Sequence, residues 1–597
     1  MGETLSRSMQ PEGLTIFKEL PTDTLLDNIQ IPEKPENRRL TDSKFIIVFP
    51  VVLVLFLPFL IYTLVHSDID RFWGYDQCGN ICGKKNSKQG SIECSGQDFS
   101  SRPLLQVDVS RNDSPDLKCV EKCSINSVEG FGRCYVQHTY YIPPPKYNFS
   151  TSFDNFERKA DSETTSFIEK LLHGFADYLK RHAWRIVLCC FLSLSVASGM
   201  LVLFRAATAV VVWGILGGVV LFGVFCVVGL WIFCVFTVGT MPIGISIGLF
   251  VFNILFKICL LVLICILVFL HKKIKLVIQL LKETTKAAFS MPLIFFTPII
   301  AFFSEVIIVA LLITTNFYMS SSGILTPLIR NFYEYQMNGA MVFTLIFNSW
   351  MAFWGVQIVI GIQYMVIAGA VTTWYFSQNK HNLDSPIIRS AAIVFRFHLG
   401  SIFFGSMIIT IIAIVRGLLS SVTKYKNIRS CVGCFTGSIE SFLRFLSKNS
   451  YILTAMHGKP FFKSGKRAAK IIFHNVVNIA SVNYIGGFVL GMAQLLIVLI
   501  SLLITAGVMW GAVKNDYDII YAFAVFVIVL IVYIAIAVTF FSIFETIIDT
   551  IFMCFCEDSL LNDGMSRPYA MSRDLMEFVE HSKQLYRGRT NTNVSGG

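Results

Sequence analysis

Long apolar blocks alternate with short polar segments along most of the chain. The clear apolar stretches lie at roughly 45–65, 186–204, 207–234, 247–270, 292–315, 341–370, 391–418, 485–508 and 519–552. Several exceed the ~18 residues a helix needs to cross a bilayer. Spans 2 and 3 are separated by Arg205 and little else, which predicts a tight hairpin. A weaker block at 431–456 contains Glu440, Arg444 and Lys448. It reads as a tenth crossing shielded by neighbouring helices, with an in-plane or re-entrant piece as the alternative. The expected fold is an all-α polytopic membrane protein of about ten transmembrane helices with a disulfide-rich extracellular loop between spans 1 and 2. Its expected layout is a flexible cytosolic tail (1–44), helix 1 (45–65), the glycosylated loop (66–185), a membrane transport domain (186–556) and a cytosolic tail (557–597). The polar first 40 residues contain no signal peptide, so span 1 is expected to be the targeting signal.

Charge sets the expected orientation. Arg38, Arg39 and Lys44 precede span 1, and Lys272, Lys273, Lys275, Lys282 and Lys286 follow span 4 against Glu283 alone. Basic short loops stay inside, so the N-terminus is expected in the cytosol and the loop after span 1 outside. Between 416 and 485 eleven Lys or Arg residues face one acid, Glu440, which places most of that region inside as well. Ile274, Val277, Ile278 and Leu281 share one helical face, as in a helix lying on the inner membrane surface; the alternative is an extension of span 4 into water. The pairs Gly214/Gly218, Gly244/Gly248 and Gly487/Gly491 have the small-residue spacing that lets helices approach closely. Overall, 54% of residues are hydrophobic and only 15% charged, which excludes an ordinary soluble protein. The net charge of +11 does not indicate nucleic acid, because the basic residues flank the spans.

Six of the sixteen cysteines, Cys78, Cys82, Cys94, Cys119, Cys123 and Cys134, share the long polar loop. An even set there predicts disulfides in an oxidising compartment, with the pairing left open. A zinc site at Cys119 and Cys123 is the alternative. Asn112 and Asn148 head glycosylation acceptor triplets in the same loop, which favours the lumenal reading.

No phosphate-binding Walker loop, HExxH pair or GxSxG elbow is present, so neither an ATP-driven pump nor an enzyme is expected, and no cofactor or metal. Cys431 and Cys434 stand alone as a Cys-x2-Cys pair, more suited to acylation than to metal. What remains is polar and aromatic content inside spans. Trp350, Trp354 and Gln357 lie at i, i+4 and i+7 of span 6, with Tyr364 two turns further on. Indole faces and an amide on one stripe make half a cage for a small organic cation, each cation–π contact supplying ~0.5–2 kcal/mol. Interface anchoring or helix packing is the alternative. Glu305, Glu545 and Asp549 are acids within spans and so functional candidates. Glu545 and Asp549, one turn apart, are candidates for charge balance or proton coupling; structural pairing with the basic 416–485 region is the alternative. His398 suits a hydrogen-bonded structural role better than a titrating one.

Several runs resemble the choline transporter-like proteins, the solute carrier 44 family. Gly74-Tyr75-Asp76, Gly79-Asn80 and Cys82-Gly83 follow that family's Gly-x-Asp-x2-Gly-Asn-x-Cys-Gly pattern. Leu280 to Ala287, Ala368 to Val371 with Trp374 to Phe376, Phe395 to Ser401, Asn449 to Tyr451, and Asn562 to Gly564 with Pro568 to Ser572 also fit. Phe397 stands where the family has tyrosine. The resemblance implies ten membrane helices, both ends cytosolic, and sodium-independent choline transport with ethanolamine as a second substrate and proton exchange. It places members in the plasma membrane and in mitochondria. Two other readings remain open: a receptor or scaffold acting through the ectodomain, and a lipid-synthesis enzyme, for which no inner-surface His/Asp cluster is found. The expected partners are choline or a related cation and membrane lipids, without nucleic acid.

Overall fold

A computed structural model describes residues 31–576 except 89–91, 110–114, 124–126, 131–132, 137–161, 238–242, 330–331, 379, 381–382, 423–425, 475–481, 510–515, 563–567 and 574–575. Asn112 and Asn148 lie outside the described residues. Among those described, eight helical stretches are long and apolar enough to cross a membrane. The longest, Asp177–Phe236, has 60 residues. At 1.5 Å per residue that is about 90 Å of helix, three times a hydrocarbon core. It therefore accounts for two crossings, and the non-helical Ala207 within helix α2 (Ser162–Thr237) divides them where the tight hairpin was expected.

The first membrane helix, α1 (Ser43–Val65), buries only Phe56 and Thr63. Val54, Leu55 and Val65 stand exposed, as a lipid-facing surface requires. Helices α3 (Ile243–Phe269), α4 (His271–Ser290) and α5 (Thr297–Ser320) follow. The hub is α6 (Gly339–Phe376), capped by the Asn338 side chain on the Met341 N–H and buried along most of its length. It packs against α1, α5, α7 (Pro386–Ile393), α8 (Leu399–Val422), α9 (Lys426–His457) and α12 (Asp516–Leu561). Helix α10 (Phe461–His474) returns along α9 after Gly458, whose φ of +65° closes the turn. Helix α11 (Gly487–Met509) packs on α2 and α12.

Helix α9 covers the weak 431–456 block. It is not among the apolar stretches, yet every residue from Asn449 to His457 is buried. Its Tyr451 drives between α6 and α8, with its hydroxyl 3.4 Å from both Ser406 Oγ and the Ile402 carbonyl. A Cβ on Gly405 would overlap that hydroxyl and the Phe461 ring, and one on Gly361 would press on Ile402. These glycines, with Gly369 under Ser390 of α7, are where helices close up. The spacing argument chose others: Gly214, Gly218, Gly248, Gly487 and Gly491 have open space where a Cβ would sit. Spacing alone does not say whether a face has a partner.

Two further expectations change. The apolar face of α4, including Ile274, Val277, Leu280 and Leu281, is buried against α12 and α2 rather than lying in lipid. Within the N-terminal tail, residues 31–42 are docked rather than flexible. Thr41 donates its backbone N–H to the Phe397 carbonyl (2.9 Å), and Ser401 donates to Asp42 (2.6 Å). Arg38 is buried, donating to His398 Nε2 (2.9 Å) and the Ala455 carbonyl (2.7 Å). Burial lowers its pKa to about 10, so it keeps its charge at neutral pH. Because arginine only donates, His398 Nε2 must accept and Nδ1 carries the proton toward Thr41 Oγ1, 3.0 Å away. His398 is thus a structural histidine that anchors the tail, and the Phe395 to Ser401 run is its dock.

Between α1 and α2 stands a small lobe. Strands β1 (Leu104–Val109), β2 (Pro115–Val120), β3 (Ser127–Gly130) and β4 (Arg133–Val136) form one sheet in the order β2-β1-β4-β3, with β1 and β4 parallel. Its apolar core is little more than Cys82, Phe99, Leu105 and Cys119. Three disulfides, Cys78–Cys94, Cys82–Cys119 and Cys123–Cys134, staple what so small a core cannot hold. The buried Asp76 carboxylate accepts from the Cys78 and Asn80 N–H groups (2.9 and 2.7 Å) and from the Asn80 amide (2.9 Å). Burial raises its pKa, and the bonds from Asn80 and Cys78 oppose that rise. The lobe is clamped to a hairpin between α5 and α6, strands β5 (Ile324–Ile329) and β6 (Phe332–Gln336). Tyr335 donates its hydroxyl to the Gly79 carbonyl (2.8 Å), and Arg71 lies 3.9 Å above the Tyr335 ring. Gly79 has φ +79°, and a Cβ there would overlap Leu325, so only glycine fits.

Gly405→Ala is expected to destabilise the protein by about 1–3 kcal/mol through overpacking, seen as a lower melting temperature in detergent. Gly214→Ala, which meets open space, should leave it unchanged. Equal effects would remove Tyr451 as a wedge. In intact cells, an impermeant thiol reagent should label none of the six lobe cysteines until a reductant is added; ready labelling without reductant would contradict the three disulfides.

Candidate functional site

The stripe on α6 continues through Gly361 to Tyr364, so Trp350, Trp354, Gln357 and Tyr364 share one helical face. Its two halves meet different surroundings. Trp354 is fully buried, stacked on Trp350 (5.4 Å between ring centroids) and met edge-on by Phe49 of α1 (5.0 Å). Its indole N–H reaches toward the Phe403 carbonyl of α8 at 3.4 Å. In this conformation its ring is covered by packing.

Lower on the stripe the neighbours are polar. Helix α9 carries Glu440, Arg444 and Lys448 at i, i+4 and i+8, one line of charge along its face. Glu440 pairs with Arg444 (2.8 Å) and with Arg416 of α8 (2.7 Å). Arg444 also points Nη1 at the Gln357 side-chain oxygen, 3.4 Å away. One turn further, the Lys448 ammonium sits 5.0 Å from the centre of the Tyr364 ring and 2.7 Å from the Glu545 carboxylate of α12. Asp549 lies one turn along α12, within electrostatic reach of both Lys448 and Glu545. The structure thus brings Gln357, Tyr364, Glu545 and Asp549 together through α9, and leaves Trp350 and Trp354 on the α1 and α8 side.

An ammonium held between an aromatic face and a carboxylate is the arrangement that recognises organic cations. Here the cation is the protein's own. In the sequence Lys448 counts as a cost to the tenth span and, within the basic 416–485 region, as a structural partner for Glu545 or Asp549. The signal for more was present in the four-residue spacing of Glu440, Arg444 and Lys448. A second ammonium rests on rings alone at the end of α6, where Lys380 lies 4.8 Å from the Trp374 ring and 5.6 Å from that of Tyr375. Burial lowers the Lys380 pKa.

Other acids and amides lie away from this line of charge. Glu557, fully buried, is held by Arg467 of α10 and by His457 Nε2 (3.1 Å). Asp558 accepts from the Tyr375 hydroxyl (3.1 Å), the Asn562 amide (2.7 Å) and the Ala570 and Met571 N–H groups. Residues 570 and 571 therefore fold back onto the end of α12, while positions 563 and 564 of the Asn562 to Gly564 run lie outside the described residues. Glu305 of α5 is half-buried and has no hydrogen bond or ion pair among the described residues. Asn348 bridges α6 to Thr315 (3.0 Å) and Asn316 (2.9 Å) of α5. Among the described residues no group of His, Cys, Asp or Glu has the geometry of a metal site.

Comparison with known proteins bears on this arrangement. The sequence profile described as plasma-membrane choline transporter matches residues 254–560, the stretch that contains α6, α9 and the Glu545 face of α12. The chain is 27% identical to choline transporter-like protein 1 of Mus musculus, over 92% of this chain and 93% of that protein. It is 27% identical to choline transporter-like protein 3 of Homo sapiens over 92% and 93%. Choline transporter-like protein 2 of Dictyostelium discoideum is 30% identical over 53% of this chain and 51% of its own length. With the match covering half of its length, including the Glu440, Arg444 and Lys448 line and Glu545, the chain belongs to the plasma-membrane choline transporter family.

Proposed function

We propose that this chain carries choline, with ethanolamine as a second substrate, across the plasma membrane by alternating access, and that some of it serves the mitochondrial membrane. The observation that carries the reading is the Lys448 ammonium resting on the Tyr364 ring while paired with Glu545. A quaternary ammonium cannot donate a hydrogen bond from its nitrogen, so it needs ring faces and a countercharge, and both are already assembled. Choline and Lys448 are then alternative occupants of one cradle. Arriving choline takes the Tyr364 face and Glu545, and Lys448 swings aside. Gln357 offers its side-chain oxygen to the choline hydroxyl. Trp350 and Trp354 become the wall of the cradle when α1 and α8 move off them.

In this reading ten helices cross, with α9 as the charged crossing, the N-terminal segment and the C-terminal tail in the cytosol, and the lobe outside. The burial of the C-terminal half of α9 supports a place inside the bundle. Sodium is not required. The membrane potential draws the cation inward with ~2.3 kcal/mol per charge per 100 mV. Asp549, beside the Lys448–Glu545 pair, exchanges a proton as the cation binds.

Choline uptake into proteoliposomes tests the cradle. Lys448→Met removes the competing cation, so KM for choline should fall roughly 2- to 30-fold, the equivalent of ~0.5–2 kcal/mol for one cation–π contact. Lys448→Arg, which keeps a charge there, should not lower it. An unchanged or raised KM in the methionine variant places the substrate elsewhere. Asp549→Asn should abolish stimulation of uptake by an outward proton gradient while choline-for-choline exchange persists. A wild-type response to the gradient would show that proton coupling does not run through α12.

A further inference from the structure

The hairpin between the two halves of α2 leaves a cavity apart from the proposed cradle, sharing none of its residues. The first half of α2 begins beside the lobe, touching β3, so one crossing brings Arg205 to the opposite, basic end of the bundle. There the break at Ala207 (φ −145°, ψ 48°) opens a cavity of about 540 Å³ against the end of α4. That volume falls within the range of small-ligand pockets, roughly 300–1,000 Å³.

Its lining is cationic and comes from two separate elements. Arg205 arrives from α2, its guanidinium carbon 4.6 Å above the Phe289 ring. Lys282 and Lys286 arrive from α4. Among the described residues the acid beside them is Glu283, itself buried and paired with Lys286 at 3.0 Å. Thr208, Thr285 and Ser290 also line the cavity, but each spends its hydroxyl proton on a helix carbonyl, of Phe204, Lys282 and Ala287 respectively. The donors that face the space are therefore the three cations. Beside it Val202, Leu203 and Val210 are exposed, the surface of a helix in contact with acyl chains.

We propose that this cavity binds the phosphate headgroup of an anionic lipid from the leaflet on the basic side of the membrane. Arg205 lies over the headgroup, Lys282 and Lys286 pair with phosphate oxygens, and the acyl chains run along Val202 and Val210. Basic pockets between membrane helices at this depth select such headgroups over zwitterionic ones. The occupant bridges α2 to α4, and α4 packs against α12, so lipid occupancy ties the hairpin to the helix that bears Glu545.

The test uses full-length protein in detergent, titrated with short-chain lipids while thermal unfolding and native mass are followed. Dioctanoyl phosphatidylinositol 4,5-bisphosphate should raise the melting temperature and give a bound adduct, and dioctanoyl phosphatidylcholine should do neither. In Arg205→Gln/Lys282→Gln/Lys286→Gln the apparent affinity should fall at least tenfold. Should that variant fail to fold, Lys282→Gln alone, an exposed single change, should weaken binding several-fold at an unaltered basal melting temperature. Equal shifts with phosphatidylcholine, or an undiminished response in the folded variants, would overturn the proposal. So would inositol 1,4,5-trisphosphate reproducing the whole shift, which would make this a site for a soluble phosphate.

Discussion

The charge pairs that helix α9 makes with its neighbours organise this bundle. Breaking one side of a buried pair costs about 3–5 kcal/mol, because the remaining charge is stranded. Helix α9 carries the buried Glu440 and the partly buried Arg444 and Lys448, and each finds its countercharge on another helix or one turn away. Arg416 ties α8 to α9, Lys448 ties α9 to α12, and Gln357 ties α6 to Arg444. The basic end repeats the pattern with Arg38 on His398, and with Glu557 between Arg467 and His457. The same rule that fixes the helices leaves one cation, Lys448, on a ring and a carboxylate that suit an organic ammonium. The structural need and the proposed transport chemistry share these atoms.

Most membrane helices were legible because twenty apolar residues in a row admit few other fates. The lobe cysteines were legible as a disulfide set, while their pairing required the fold. Helix α9 was only half legible. Its charges look prohibitive along the sequence because their partners, Arg416 and Glu545, lie in other helices. The stripe on α6 was visible in its spacing. Periodicity does not reveal that Phe49 and Trp350 cover Trp354, whereas Tyr364 meets a lysine. The alternative weighed for Glu545, pairing with the basic region, is realised, and it coincides with the feature that supports a site. Glycine spacing misled for a related reason. Gly214 and Gly487 have the motif but no neighbour, and Gly405 lacks the motif yet makes room for Tyr451. The N-terminal segment read as a solvated basic tail because a charged residue near a span usually marks topology. Arg38 instead enters the bundle, where His398 and a carbonyl receive it.

The clamp between the lobe and the β5–β6 hairpin has a mechanical meaning. Arg71 donates to the carbonyls of His66, at the end of α1, and Ser321, at the end of α5 (2.8 Å each), while its guanidinium covers Tyr335. Tyr333 adds a backbone bond to Gln77 (2.9 Å). Through these contacts the lobe is geared to α1, α5 and α6 together and is not a tethered ornament. In the proposed cycle a rocking of α6 would carry the lobe with it as a lever arm, turning small tilts of the helix into larger displacements at the far end of the lobe. A rigid protein gripping that arm would load the moving helix as a brake, setting the rate of the cycle from a distance without approaching the ammonium cradle.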